Sequence, residues 1–89
     1  MLVAVICTDK PKAIEIRLAN RKAHLSYIKS TGCVAQAGPF LNGDDEMCGS
    51  LIILEVDSMR AAQEWAENDP YALAGLFSNV RLETWKKVV

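Results

Sequence analysis

Apolar and polar positions along the chain fall into blocks with two distinct periods. Leu2 to Cys7 is a continuous apolar run containing Val and Ile, which predicts a buried strand. Asp9-Lys10-Pro11 predicts a helix start, with Asp9 as cap and Pro11 in the first turn. Ile14, Leu18, Leu25 and Ile28 follow at spacings of four, seven and three, the pattern of one buried helix face. Ser30-Thr31-Gly32 ends that helix, with Gly32 suited to the left-handed closing position. Cys33 to Phe40 is small and apolar and predicts a second strand, ending in Gly38-Pro39. Leu41 to Glu46 is polar and turn-prone.

Gly49 to Val56 contains Leu51-Ile52-Ile53-Leu54 and predicts a third strand. Asp57-Ser58 offers a cap for a helix over Met59 to Glu67, and Asn68-Asp69-Pro70 stops it. A short helical turn over Pro70 to Gly75 follows. Val80, Leu82 and Thr84 then alternate with Arg81, Glu83 and Trp85, a half-buried strand. The order β-α-β-β-α-β predicts an α+β, ferredoxin-like fold: an antiparallel sheet with its helices on one face. Nothing in the chain covers the other face, so two sheets packing face to face in a homodimer are expected.

The chain has 89 residues, enough for a single domain over 1–89 and no more. A chain of this size buries only about 60–65% of its unfolded surface, which again favours association. Ten basic and 11 acidic side chains give a charge of −1, which argues against a nucleic-acid partner. No apolar run is long enough for a membrane span. The N-terminal run lacks a positive flank and breaks at Thr8-Asp9-Lys10, unlike a signal peptide. Cys7, Cys33 and Cys48 are odd in number and form no C-x-x-C, so reduced thiols in a cytoplasmic protein are expected.

Candidate chemistry centres on one residue. His24 is the only histidine, and Arg17, Arg21 and His24 lie at i, i+4 and i+7 on one helix flank. An imidazole there can exchange protons near neutral pH. On spacing alone the simpler reading is a half-exposed helix histidine with no task. Asp69 can orient an imidazole or cap the helix begun by Pro70, and its two oxygens allow both. Tyr71 can line a pocket or pack, and Ser50 can donate a hydrogen bond to a substrate oxygen. Gly38-Pro39 and Gly49 suit hairpin geometry or close approach of a ligand. Asp44, Asp45 and Glu46 form an acidic turn without a calcium-loop pattern, and no metal site is expected. No dinucleotide fingerprint, phosphate loop or nucleophile elbow occurs, so no cofactor is expected. Cys7 and Cys33 read as core fillers, Trp65 and Trp85 as packing or interface residues, and Cys48, beside the acidic turn, as the thiol open to redox chemistry.

These pieces together resemble the YciI-like (YCII-related) family over nearly the whole chain. The resemblance rests on Arg21-Lys22-Ala23-His24-Leu25, Ala37-Gly38-Pro39, Gly49-Ser50-Leu51-Ile52-Ile53, Trp65-x-x-x-Asp69-Pro70-Tyr71 and Ala74-Gly75-Leu76. It implies a ferredoxin-like fold of the dimeric α/β-barrel type. It also implies a site with His24 and Asp69 as catalytic residues. Beside them, on the reading of the residues themselves, Arg21, Gly38, Pro39, Ser50 and Tyr71 are expected to bind a small-molecule substrate. The family implies general acid–base chemistry on a small cyclic or aromatic compound, by a cofactor-independent lyase, isomerase or hydrolase. The alternative is a non-catalytic small-molecule-binding or accessory module of the same fold. The expected partners are a second copy of the chain, with higher assembly left open, and a small molecule.

Overall fold

The computed structural model describes all of residues 1–89. Its elements are β1 (Leu2–Asp9), α1 (Ile14–Thr31), β2 (Val34–Leu41), β3 (Met47–Glu55), α2 (Met59–Asn68), α3 (Pro70–Leu73) and β4 (Phe77–Trp85). The four strands form one antiparallel sheet in the order β2-β3-β1-β4. This is the α+β, ferredoxin-like arrangement expected from the sequence, with the two central strands the most apolar ones.

Strand alternation sorts the sheet into two faces. Val3, Val5 and Cys7 of β1 pair with Leu54, Ile52 and Ser50 of β3 on the face that the helices cover. Trp65, Ala62 and Ala66 of α2 close on these residues to make the main core. Ala13, Tyr71 and Leu76 form a second, smaller cluster. The opposite face carries Leu2, Ile6, Phe40, Leu51 and Trp85, and no element of the chain lies over it.

The long helix departs from expectation twice. It begins at Ile14 rather than after Asp9, with Ala13 at the N-cap and no side-chain cap. Asp9 instead ends β1 and spends both carboxylate oxygens on Arg17, a stronger charge-assisted arrangement than a cap. Lys12, in the left-handed region with φ 56°, turns the chain between the two elements. The second departure is the buried face. Leu18 and Leu25 are 56% and 45% exposed, and Ile14 is exposed as well, whereas Arg17 and His24 are 3% and 6% exposed. Three of the four stripe positions face out because the polar flank finds partners beneath it, while Ile28 alone packs against the main core. At its other end α1 follows the sequence: Gly32, at φ 67°, closes the helix by donating to the Ile28 carbonyl. Tyr27 Oη donates to the Trp65 carbonyl and Trp65 Nε1 to Thr31 Oγ1, which lock α1 to α2.

Strand boundaries shift by a residue or two. Cys33 lies just outside β2, and Gly38-Pro39 lies inside β2 rather than ending it. A proline is tolerated there because β2 is an edge strand. The acidic turn is organised by Asn42, whose Oδ1 accepts from the backbone of Asp44 and Glu46. Gly49 serves strand packing: a Cβ there would overlap the carbonyl oxygen of Cys7. Gly49→Ala is therefore expected to destabilise the fold by about 1–3 kcal/mol, read as a lowered thermal midpoint. An unchanged midpoint would show that β1 and β3 have slack at this point.

Candidate active site

Alternation along β1 puts Asp9 in phase with Val3, Val5 and Cys7, so its carboxylate points to the helix side. There Arg17 Nε and Nη2 each donate to it at 2.8 Å, a bidentate pair. Nη2 also donates to Ser50 Oγ at 3.0 Å. Burial works against the charge on Arg17, but Asp9 outweighs it, and the guanidinium holds its proton more tightly than a free arginine.

Two turns along α1, His24 Nδ1 lies 2.7 Å from Asp69 Oδ1. The same oxygen accepts the backbone N–H of Tyr71 at 3.0 Å, so it is an acceptor and Nδ1 carries the hydrogen. Asp69, 1% exposed, thus performs both of its expected tasks, capping α3 and holding the imidazole. His24 is correspondingly not the half-exposed residue that spacing alone suggests.

Tyr71 joins the two pairs. The His24 ring stacks on it with centroids 4.0 Å apart and planes 17° apart. The Arg17 guanidinium carbon lies 4.8 Å from the centroid of the same ring. Tyr71 thus touches a member of each pair. Burial pushes the Tyr71 hydroxyl above its ordinary range, while the guanidiniums of Arg17 and Arg21 pull it down.

These groups open onto a cavity of about 180 Å³ between α1 and the β2–β3 edge. Arg21, His24, Gly38, Pro39, Ser50 and Tyr71 all line it, with Arg17 and Ile52. Asp69 stands behind His24, outside the lining. All seven candidate residues are therefore brought together. Sequence reasoning missed Asp9, assigned to a helix cap, and gave Arg17 no task. The two signals were present: the strand phase of Asp9 and the seven-residue spacing of Arg17 and His24. No group of three or more His, Cys, Asp or Glu side chains gathers to hold a metal ion. Cys7 lies buried in the core, and its thiol is pushed up to about 12, first by burial and then by Asp69, against the pull of Arg17.

The sequence matches the YCII-related domain over residues 1–86. The chain belongs to that family. Protein YciI of Escherichia coli O6:H1 is 36% identical, with 99% of each chain covered. Among solved structures, 5-chloro-2-hydroxyhydroquinone dehydrochlorinase (TftG) from Burkholderia phenoliruptrix AC1100, in complex with 2,5-dihydroxybenzoquinone, is similar with a TM-score of 0.89. It is 34% identical, covering 97% of this chain and 94% of that one. An antibiotic biosynthesis monooxygenase structure shares the fold alone, at 16% identity and a TM-score of 0.61, with both chains fully covered. The YCII-related chain thus has the protomer fold of the dimeric α/β-barrel type. No helix is long and apolar enough to cross a membrane.

Two outcomes follow from the geometry. The hydrogen-bonded Nδ1–H of His24 should give a protected, low-field imidazole proton signal in NMR spectra. Asp69→Asn keeps the cap and a neutral acceptor, so it should move that signal upfield, whereas Asp69→Ala should abolish it; a signal unchanged in Asp69→Ala would break the His24–Asp69 assignment. In the folded protein, Cys33 and Cys48 should alkylate while Cys7 stays unmodified until denaturant is added, as read by peptide mass mapping. Equal labelling of all three would contradict the buried, high-pKa thiol.

Proposed function

We propose that this YCII-related chain is a small enzyme that uses His24 and Asp69 for general acid–base chemistry on a small cyclic or aromatic compound. The observation that carries the reading is the 2.7 Å His24–Asp69 contact at the wall of a cavity that His24 lines. With Nδ1 engaged by Asp69, Nε2 is the nitrogen left for a ligand. His24 takes or delivers a proton there, and Asp69 holds the tautomer and stabilises the imidazolium. Arg21, at the cavity wall and free of any ion pair, draws in an anionic or phenolate group. Gly38, Pro39, Ser50 and Tyr71 shape the space. The likeness to TftG supports a ring compound and an elimination, with isomerisation and hydrolysis open to the same pair of groups. No cofactor is needed for proton transfer of this kind.

The exposed apolar face of the sheet supports a homodimer, and three free thiols support a reducing, cytoplasmic setting. Sedimentation should give about twice the 9.8 kDa chain mass, and Leu51→Glu, on that face, should give the single mass with the fold retained. A native protein of single-chain mass would remove the dimer.

A screen of small phenols, hydroquinones and lactones tests the activity. His24→Ala should lower turnover by about 10²–10⁴-fold, with the circular dichroism spectrum unchanged. Turnover equal to the native rate would take His24 out of the chemistry. Binding without conversion by the native protein would favour the non-catalytic module.

A further inference from the structure

Most of the apolar stripe on α1 supports nothing within the chain. Ile14, Leu18, Arg21, Leu25 and Ile28 are spaced four, three, four and three along the helix. That is the alternation of a coiled-coil seam. Ile28 turns to the main core at one end, while Ile14, Leu18 and Leu25 lie in water. Helix α2 shows the contrast, since its exposed positions Arg60, Gln63, Glu64 and Glu67 are all polar. A groove follows the stripe of α1, lined by Leu18 and Leu25 together with Arg21, Lys22 and Lys29. The four ion pairs of the structure use none of these three cations. A chain with a net charge of −1 thus sets an unpaired basic rim on an exposed apolar stripe. Dimerisation through the open sheet face leaves the stripe uncovered, because α1 packs on the opposite face.

We infer that this stripe is a docking surface for another protein, and that its occupant is an acidic amphipathic helix with a leucine seam. The four-three spacing suits a second helix laid along α1, whose seam side chains enter the gaps between Ile14, Leu18 and Leu25. With Leu18 and Leu25 at position a of the heptad, Lys22 and Lys29 fall at position e, where charge selects the partner. Glutamates flanking the seam of the incoming helix meet these lysines. Arg21, at position d, adds a third positive charge within the seam itself. A second copy of α1 would bring the same three cations and be repelled. The α2 helix of a second copy buries its own apolar face and has no seam to offer. The occupant that complements both the leucines and the rim is therefore apolar on one stripe and acidic beside it.

The probe is a fluorescent peptide, 18 residues long like α1, with Leu at positions a and d and Glu at e and g. Its control carries Lys at e and g. Arg21 and Leu25 also line the cavity, so the variants are made at Leu18, Lys22 and Lys29, which do not. All three are exposed, and each variant should keep the native circular dichroism spectrum. In anisotropy titrations the native protein should bind the acidic peptide about tenfold tighter than the control, the effect of a few exposed ion pairs. Leu18→Glu should remove binding of the acidic peptide, and Lys22→Glu combined with Lys29→Glu should reverse the preference. No binding of the acidic peptide, equal binding of both peptides, or an affinity unchanged in Leu18→Glu overturns the docking surface. Two further results overturn the choice of occupant. Native protein that sediments with phosphatidylglycerol vesicles, where Leu18→Glu does not, gives the stripe to a membrane surface. A native mass above the dimer that falls back to it in Leu18→Glu gives the stripe to a second copy.

Discussion

The bidentate pair between Asp9 and Arg17 is the contact on which the rest of the architecture depends. It lets α1 lie on the sheet with a charged residue turned inward. An unpaired guanidinium there would cost about 3–5 kcal/mol, a large part of the stability of a chain this size. With Asp9 in place, the N-terminal half of α1 is anchored to the end of β1 by charge-assisted hydrogen bonds. The C-terminal half is anchored differently, by Tyr27 and Ile28 against the main core and by the Tyr27–Trp65–Thr31 hydrogen bonds. The helix is thus pinned at both ends by unlike forces.

The cavity is a consequence of this arrangement. Between the two anchors α1 presents Arg21, His24 and Leu25 above β2, and β2 answers with Ala37, Gly38 and Pro39. None of the three fills much volume, and an edge strand with a proline has little reason to draw closer. A space remains that apolar packing would otherwise have closed. Its walls are rigid because each polar group is held from behind: His24 by Asp69, Arg17 by Asp9, and both by the ring of Tyr71. The contacts that hold these groups in place are also contacts that hold the fold, so substitutions among them act on stability.

Sequence pattern alone determined the element order and the strand faces. Period-two alternation and apolar runs depend on local backbone geometry, so Val3, Val5, Ile52 and Leu54 could be assigned to the core directly. Gly32 and Pro70 were legible for the same reason, since φ preferences act within a residue or two. The short motifs around His24, Asp69 and Tyr71 marked the candidate site through family resemblance. Nothing local, however, links positions 24 and 69, and their contact exists only because α3 is folded against α1. The tertiary structure also decided which face of α1 is buried. Helical periodicity measures how apolar each face is, and it selects the stripe of Ile14, Leu18, Leu25 and Ile28, of which only Ile28 packs on the core. Burial depends instead on what waits beneath each face, and beneath Arg17 and His24 wait Asp9, Ser50 and Asp69, from three other parts of the chain. A polar group with a partner can be buried where an apolar group without neighbours stays in water, and partners distant in sequence are assembled only by the fold.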